Sequence, residues 1–145
     1  MTSPSPAEVS ARFIHAVAWG EHLTVWELLA LEGRKTVLRV ALGRGMDDVL
    51  ASRLREDRAE PDELNAFLTD LVNGLRADLA GADLDTLGFE EQPSEDLPRA
   101  AVVLTTPTDP ELTRHGIDSL PVATVRLVLD GATWLVTGIE PRRAR

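Results

Sequence analysis

Apolar residues recur at helical spacing through the first half of the chain, which predicts a layer of helices. The first helix is predicted from Pro6 to Trp19, because Ser5 can cap its start and Gly20 can end it. The last and strongest helix is predicted to have Pro61 in its first turn and to stop at Gly81. Its apolar stripe consists of Leu64, Phe67, Leu68, Leu71, Val72, Leu75 and Leu79.

Three shorter helices are predicted between these two. Thr24 is the expected cap of the first, the second runs from about Arg34 to Leu42, and the third runs from about Asp47 to Arg58. Acids in the first turn of the third helix and arginines towards its end match the helix dipole. The charges of this helix therefore predict a solvated helix end.

The periodicity changes after Gly81 and predicts strands. "LDTLGFEEQ" predicts a weak edge strand, "RAAVVLTTP" predicts a buried strand, and a polar loop around Pro93 to Pro98 separates them. "TDPELTRHGIDSLP" is predicted to be a loop. A hairpin is predicted in "VRLVLDGATWLVTGIEP", since Asp130-Gly131 between two strands favours a two-residue type I′ turn.

That turn predicts a register and two faces for the hairpin. Leu127 is expected opposite Trp134, and Val125 opposite Val136, on an apolar face that meets the helices. Trp134 is therefore expected to point inward. The other face is mixed, and its predicted members are Val122, Thr124, Arg126, Val128, Thr133, Leu135, Thr137 and Ile139.

Together these elements predict a single α+β domain over residues 1–145. Helices over 6–80 pack on a curved, cone-like antiparallel sheet of about four strands over 84–141, and residues 142–145 form a basic tail. A chain of 145 residues is long enough to bury a core without disulfides, and cysteine is absent.

Charge and hydropathy limit the expected partners and location. The net charge of −9 repels a phosphate backbone, so no nucleic-acid partner is expected. No apolar run approaches the length of a membrane span, and "MTSPSPAEVS" lacks the features of a signal peptide. We therefore expect no membrane association and a cytoplasmic location.

The two ends of the chain resemble the nuclear-transport-factor-two-like, or cystatin-like α+β cone, superfamily, which includes polyketide-cyclase-like and ketosteroid-isomerase-like proteins. Many members close with an apolar–charged–apolar strand, an Asp/Gly turn, Trp-x-Val and Ile-x-Pro. "FIHAVAWGEHLTVWELL" also resembles the first two helices of that superfamily. The matching parts of the hairpin are Val125-Arg126-Leu127, Asp130-Gly131, Trp134-Leu135-Val136 and Ile139-Glu140-Pro141.

The resemblance implies a conical cavity between the helices and the sheet that admits a hydrophobic small molecule. The same residues are equally good core fillers, and for Trp134 we favour the core. Residues 32–58 depart from the superfamily, whose connections here are compact, and they predict an inserted helical lid or a rearranged cone mouth. The implied pocket lining is Phe13, Trp26, Leu127, Trp134 and Val136.

Groups capable of catalysis are sparse in this chain. Tyrosine is absent, and no inward position of the hairpin is titratable, so a catalytic group would have to come from a helix or a loop. The candidate is His22 in the hinge after Gly20, with Glu21 or Glu27 as its orienting carboxylate. His15 and His115 are expected to be solvated. No metal-ligand spacing, phosphate loop or dinucleotide fingerprint occurs, so neither a metal nor a cofactor is expected.

These observations favour a non-catalytic, cone-fold association or accessory protein that forms a homodimer. In the resembling superfamily the outer sheet face is a common dimer surface, and no further helix is predicted to cover it here. A competing prediction is that residues 32–58 fold over this face and keep the protein monomeric. The alternative function is a small isomerase, dehydratase or cyclase, or a carrier, for a hydrophobic molecule. The predicted dimer surface comprises Val122, Thr124, Arg126, Val128, Leu135 and Ile139.

Overall fold

The computed structural model describes residues 4–79, 84, 86–92, 98–108, 110–117 and 119–141. Within those residues, helices come first and an antiparallel sheet follows, which confirms the predicted α+β class. Most of the predicted loop around Pro93 to Pro98 and the predicted tail at 142–145 lie outside the described residues. The elements are α1 (Pro6–Trp19), α2 (His22–Leu28), α3 (Leu31–Gly43), α4 (Asp48–Arg55), α5 (Pro61–Asp78), β1 (Gly88–Glu91), β2 (Arg99–Pro107), α6 (Pro110–Arg114), β3 (Ser119–Asp130) and β4 (Thr133–Pro141).

Local capping signals set both ends of α1 where the sequence predicted them. The Ser5 hydroxyl accepts a hydrogen bond from the backbone N–H of Glu8 at 3.2 Å. Gly20 ends the helix in the left-handed region, with φ of 71°, which glycine adopts without a Cβ clash. Both groups act within one turn of the helix, so they can be read from sequence.

The shorter helices differ from their predicted bounds. The prediction that Thr24 caps α2 is wrong, because α2 already begins at His22 and Thr24 lies inside it. The Glu21 N–H bonds to the Ala16 carbonyl at 2.9 Å, so the chain turns directly from α1 into α2. α3 begins three residues before the predicted Arg34, and α4 ends three residues before the predicted Arg58. The loop predicted after β2 contains the short helix α6.

The four strands form an open meander in the order β1-β2-β3-β4, with every pair antiparallel. The inner face of this sheet packs on α1, and α2 and α5 pack against α1 in turn. Directly opposed residues share a face, so the register assigns each strand residue to one side. Fully buried side chains of the inner face and of these helices include Val102, Leu104, Val125, Leu127, Val136, Phe13, Val17, Val25, Leu68 and Val72.

The hairpin register is shifted by two residues from the prediction. Leu127 pairs with Val136, not Trp134, and Trp134 pairs with Leu129. The loop is Gly131–Ala132, not Asp130-Gly131. Gly131 has φ of 64° while Ala132 has no positive φ, which is typical of a type II′ turn and not of type I′. A shift of two residues preserves the faces, so Trp134 still lies on the inner side.

An irregularity in β4 makes one predicted face assignment wrong. The register shifts between Arg126 and Leu127, so that Arg126 pairs with Gly138 and Val125 pairs with Ile139. Ile139 therefore shares the inner face with Val125 and packs against the core, whereas the sequence placed it outside. Val122 lies at a second irregularity, between β2 and β3, and also packs against the core.

The chain between α2 and α3 joins the edge of β4. Leu29 forms a parallel bridge with Val136, and the Ala30 N–H donates to the Val136 carbonyl at 2.8 Å. Gly33 in α3 lies so close to β4 that a Cβ there would be 2.9 Å from the same carbonyl oxygen. α3 thus packs beside the edge of the sheet, and this contact sets where the helix begins.

Residues 32–58 extend the core sideways. Leu38 of α3 and Leu54 of α4 are buried in the same apolar cluster as Trp26. The Trp26 ring meets Phe67 edge-on, with centroids 5.5 Å apart, and the Arg34 guanidinium lies 4.6 Å from the Trp26 ring centre. This arrangement anchors α3 to α2 and α5.

Candidate functional site

A concave surface lies on the sheet face opposite α1, which we call the outer face. It is formed by Arg99, Ala101 and Val103 of β2, Thr124, Arg126 and Val128 of β3, and Leu135, Gly138 and Glu140 of β4. A groove of about 760 Å³, the outer groove, runs across it. Its lining residues are Glu32, Gln92, Arg99, Ala100, Ala101, Val103, Thr124, Arg126, Leu127, Thr137, Gly138, Ile139 and Glu140.

The outer groove has a floor of small and β-branched residues, among them Ala101, Val103, Thr124 and Gly138. Among the described residues, Glu32 is the only helical residue that lines it. Residues 32–58 were predicted to cover this face as one alternative, but they line the outer groove only through Glu32. Backbone and short side chains at the floor allow another surface to approach closely.

Two bidentate ion pairs line the outer groove. Arg126 donates to both carboxylate oxygens of Glu140 at 3.2 and 3.1 Å. Arg99 donates to both oxygens of Glu32 at 3.3 and 3.1 Å, and so links β2 to the first turn of α3. Both pairs are about half exposed, so each contributes little to folding.

The charge of the outer groove differs from that of the whole protein. Its charged lining residues are these two arginines and two glutamates, whereas the whole chain carries a net charge of −9. A locally neutral face with both signs present can meet a copy of itself without the repulsion that the acidic remainder would produce.

The five residues predicted to line a cone pocket all lie at the main core. Phe13, Trp26, Leu127 and Val136 are buried, and Trp134 is partly buried against the same cluster. The outer groove touches only Leu127 of this set. In the described part of the chain the buried polar side chains are Ser10 and Thr105, neither of which is titratable in the ordinary range. A pocket at these positions stays a prediction.

The side chains of His22 and Glu21, the predicted catalytic pair, do not bond to each other in the structure. His22 is half-buried at the start of α2, and a Cβ on Gly20 would lie 3.9 Å from its Nε2 and 3.4 Å from Nη2 of Arg76. Glu21 is exposed and lines a second, shallower groove of about 430 Å³ between α1 and α2. No hydrogen bond or ion pair connects Glu21 with His22. Their catalytic role stays a prediction.

His15 and Glu56 both lie at the surface. His15 is exposed, as expected, and stacks on Trp19 with ring centres 5.7 Å apart. The hydrogen bond and charge of Arg58 lower the pKa of Glu56, which lies at the end of α4 and lines neither groove.

The sequence predicted Arg126 and Thr124 on the outer face, but Glu32, Arg99 and Gly138 are among the members of the outer groove that it missed. Glu32 and Arg99 are 67 positions apart, so no local pattern joins them. Gly138 reaches this face through the irregularity in β4, and the sequence shows only an isolated glycine within a strand. Such a glycine is the one available signal of a bulge.

Comparison with protein-family models gave no match, and comparison with the curated proteins gave none either. Among the described residues, no three or more potential metal ligands of the His, Cys, Asp or Glu type lie together. In the same part of the chain, no helix combines the length and apolar character needed to cross a membrane.

Proposed function

We propose that the protein acts by non-covalent association, as a homodimer joined through its outer face. The observation that carries this proposal is the outer groove, a face of the sheet that is open to solvent and carries equal numbers of arginines and glutamates. Half-exposed Val128 and Leu135 add apolar surface on the same side. A two-fold contact would set each of these groups against its own copy.

Sheet-on-sheet packing is the geometry that this face favours. Two twisted antiparallel sheets pack about 10 Å apart with strands within about 30° of alignment, and their side chains interdigitate. The larger side chains of one copy, such as Val128 and Leu135, would then enter the groove of the other. Arg126 of one copy would meet Glu140 of the partner at the rim, where exposed pairs guide orientation more than they add affinity.

The size of the face sets the expected affinity. Its three long strands span roughly 14 Å by 30 Å, or about 400 Å² per copy as a flat projection. Accessible area exceeds this projection, but the contact would still lie at the low end of the ~1,200–2,000 Å² typical of stable interfaces. We therefore expect a dissociation constant in the micromolar range.

The interior supports association over the alternative of a small enzyme. A catalytic cone needs a tuned titratable group inside its apolar wall. Here the buried polar side chains of the described residues are the hydroxyls of Ser10 and Thr105. The cone-superfamily relationship remains part of this proposal, supported by the helix-then-meander order and by the inward position of Trp134.

Charge reversal tests the proposed dimer. Arg126→Glu places two glutamates together at the rim of the contact and should weaken dimerisation at least tenfold, because like charges then face each other in both copies. Arg126→Glu/Glu140→Arg restores the pair with the opposite polarity and should recover most of the affinity. Light scattering on a sizing column measures both, with Leu23→Glu on α2 as a control for added surface charge. Equal dimerisation by the wild type and Arg126→Glu would overturn the proposed face.

A further inference from the structure

A second surface, on α3, carries cations without partners on a protein that is otherwise strongly acidic. Residues 31–44 contain four basic residues and one acid, although the chain as a whole has 24 acids and 15 bases. Arg34 is occupied, since it donates to the Trp26 carbonyl at 2.8 Å and lies over the Trp26 ring. Within the described part of the chain, the side chains of Lys35, Arg39 and Arg44 are exposed and have no hydrogen-bond or ion-pair partner.

Exposed apolar side chains lie beside these cations. Leu31 is 68% exposed and Leu42 is 37% exposed, at opposite ends of α3. At 100° per residue, Leu31, Lys35, Arg39 and Leu42 fall within about 80° of one another around the helix. We call these four residues the α3 stripe. Gly33 and Leu38 of α3 are buried, and Leu38 lies only about 20° from Leu31 around the helix, so the α3 stripe runs along one border of the buried side.

We propose that the α3 stripe binds an acidic amphipathic helix of a partner protein. The stripe is about 16 Å long at 1.5 Å per residue, which matches about three turns of a second helix. Its leucines at the two ends would receive apolar side chains, and Lys35 and Arg39 between them would pair with carboxylates. Charge complementarity selects an acidic partner, because the acidic remainder of this protein repels one and the α3 stripe attracts it.

No residue of the α3 stripe lines the outer groove, although Glu32, which does, lies about 20° from Arg39 around the helix. The two surfaces therefore adjoin but share no residue, and binding at the α3 stripe can be tested apart from the proposed dimer. It can be measured on a variant that is monomeric, such as Arg126→Glu, as well as on the wild type.

A fluorescein-labelled helical peptide of glutamate and alanine, with leucine at every third or fourth position, is the probe. We expect saturable binding by fluorescence anisotropy and amide chemical-shift changes centred on α3. Raising salt from about 0.1 M to about 1 M shortens the screening length from about 10 Å to 3 Å and should weaken binding at least tenfold. The same peptide with lysine in place of glutamate should not bind.

Variants assign the binding to the α3 stripe. Lys35→Glu/Arg39→Glu should weaken peptide binding at least tenfold, and Leu31→Ser should also weaken it. Arg12→Glu/Arg114→Glu, which reverses two exposed cations elsewhere, should retain the wild-type affinity. Failure of the acidic peptide to bind at millimolar concentration would overturn the proposal, as would equal loss in the control variant. Binding to vesicles of anionic phospholipid in place of the peptide would overturn it too.

Discussion

The substitution Gly33→Ala has two opposing effects on the free energy of unfolding. Alanine is favoured over glycine inside a helix by about 0.5–1 kcal/mol, so α3 alone would gain stability. The new Cβ would, however, lie 2.9 Å from the Val136 carbonyl oxygen, 3.0 Å from that of Thr137 and 3.2 Å from the Thr137 Cα. All three atoms belong to backbone, so no flexible side chain can move aside.

We expect the clash to exceed the gain. Relief requires α3 to move away from β4, which strains the 2.8 Å hydrogen bond from Ala30 to Val136. Overpacking of this kind costs about 1–3 kcal/mol, so Gly33→Ala should lower the free energy of unfolding by about 1–2 kcal/mol after the helix gain is subtracted.

Gly74→Ala is the matched control for this prediction. Gly74 lies inside α5 with nothing within 4 Å of the Cβ position, so the substitution should raise the free energy of unfolding by about 0.5–1 kcal/mol. Urea denaturation of the wild type, Gly33→Ala and Gly74→Ala compares their free energies of unfolding, with equal m-values for the three transitions. Stabilisation of Gly33→Ala to the same degree as Gly74→Ala would refute the close contact between α3 and β4.

Two further contacts give predictions of their own. Trp134→Ala should lower the free energy of unfolding by about 2–4 kcal/mol, since the ring is partly buried against the core, and chemical denaturation measures this. A loss under about 1 kcal/mol would place the ring at the surface. Arg76→Met should cost about 1–2 kcal/mol, because its guanidinium donates to the Val17 and Ala18 carbonyls at 2.9 and 3.1 Å. Arg12→Met on α1 is the control and should change stability by less than about 0.5 kcal/mol.

The sequence predicted those elements whose signals are local. The ends of α1 follow from Ser5 and Gly20, and the α+β order follows from the change of period after α5. The start of α3 was missed because it is set by a hydrogen bond from Ala30 to Val136, more than a hundred positions away. No helix-start signal in the sequence reports that contact.

The hairpin shows the limit of local reasoning most clearly. Asp130-Gly131 indicates a tight turn. In the structure Asp130 pairs with Thr133, so the loop is Gly131–Ala132, and Gly131 alone of these two residues has a positive φ. The faces survived this error because a slip of two residues preserves the alternation. The predicted face of Ile139 was wrong, because the irregularity between β3 and β4 is fixed by packing and not by the pattern of the strand itself.

The candidate site was predicted in outline only. Its face was identified from the alternation in the last hairpin, which placed Thr124 and Arg126 outside. The ion pair between Glu32 and Arg99 depends on where α3 meets the sheet, so it follows from tertiary structure alone. The neutral charge of the outer groove therefore could not be read from an acidic sequence.

Sedimentation velocity of the unmodified protein tests the central proposal most directly. Across about 1 to 100 µM, the range in which a contact of this size should dissociate, the account predicts a shift from monomer to dimer. Leu135→Glu, which puts a charge on the outer face, should remain monomeric throughout. A wild type that sediments as a 15.8 kDa monomer at every concentration would contradict the account.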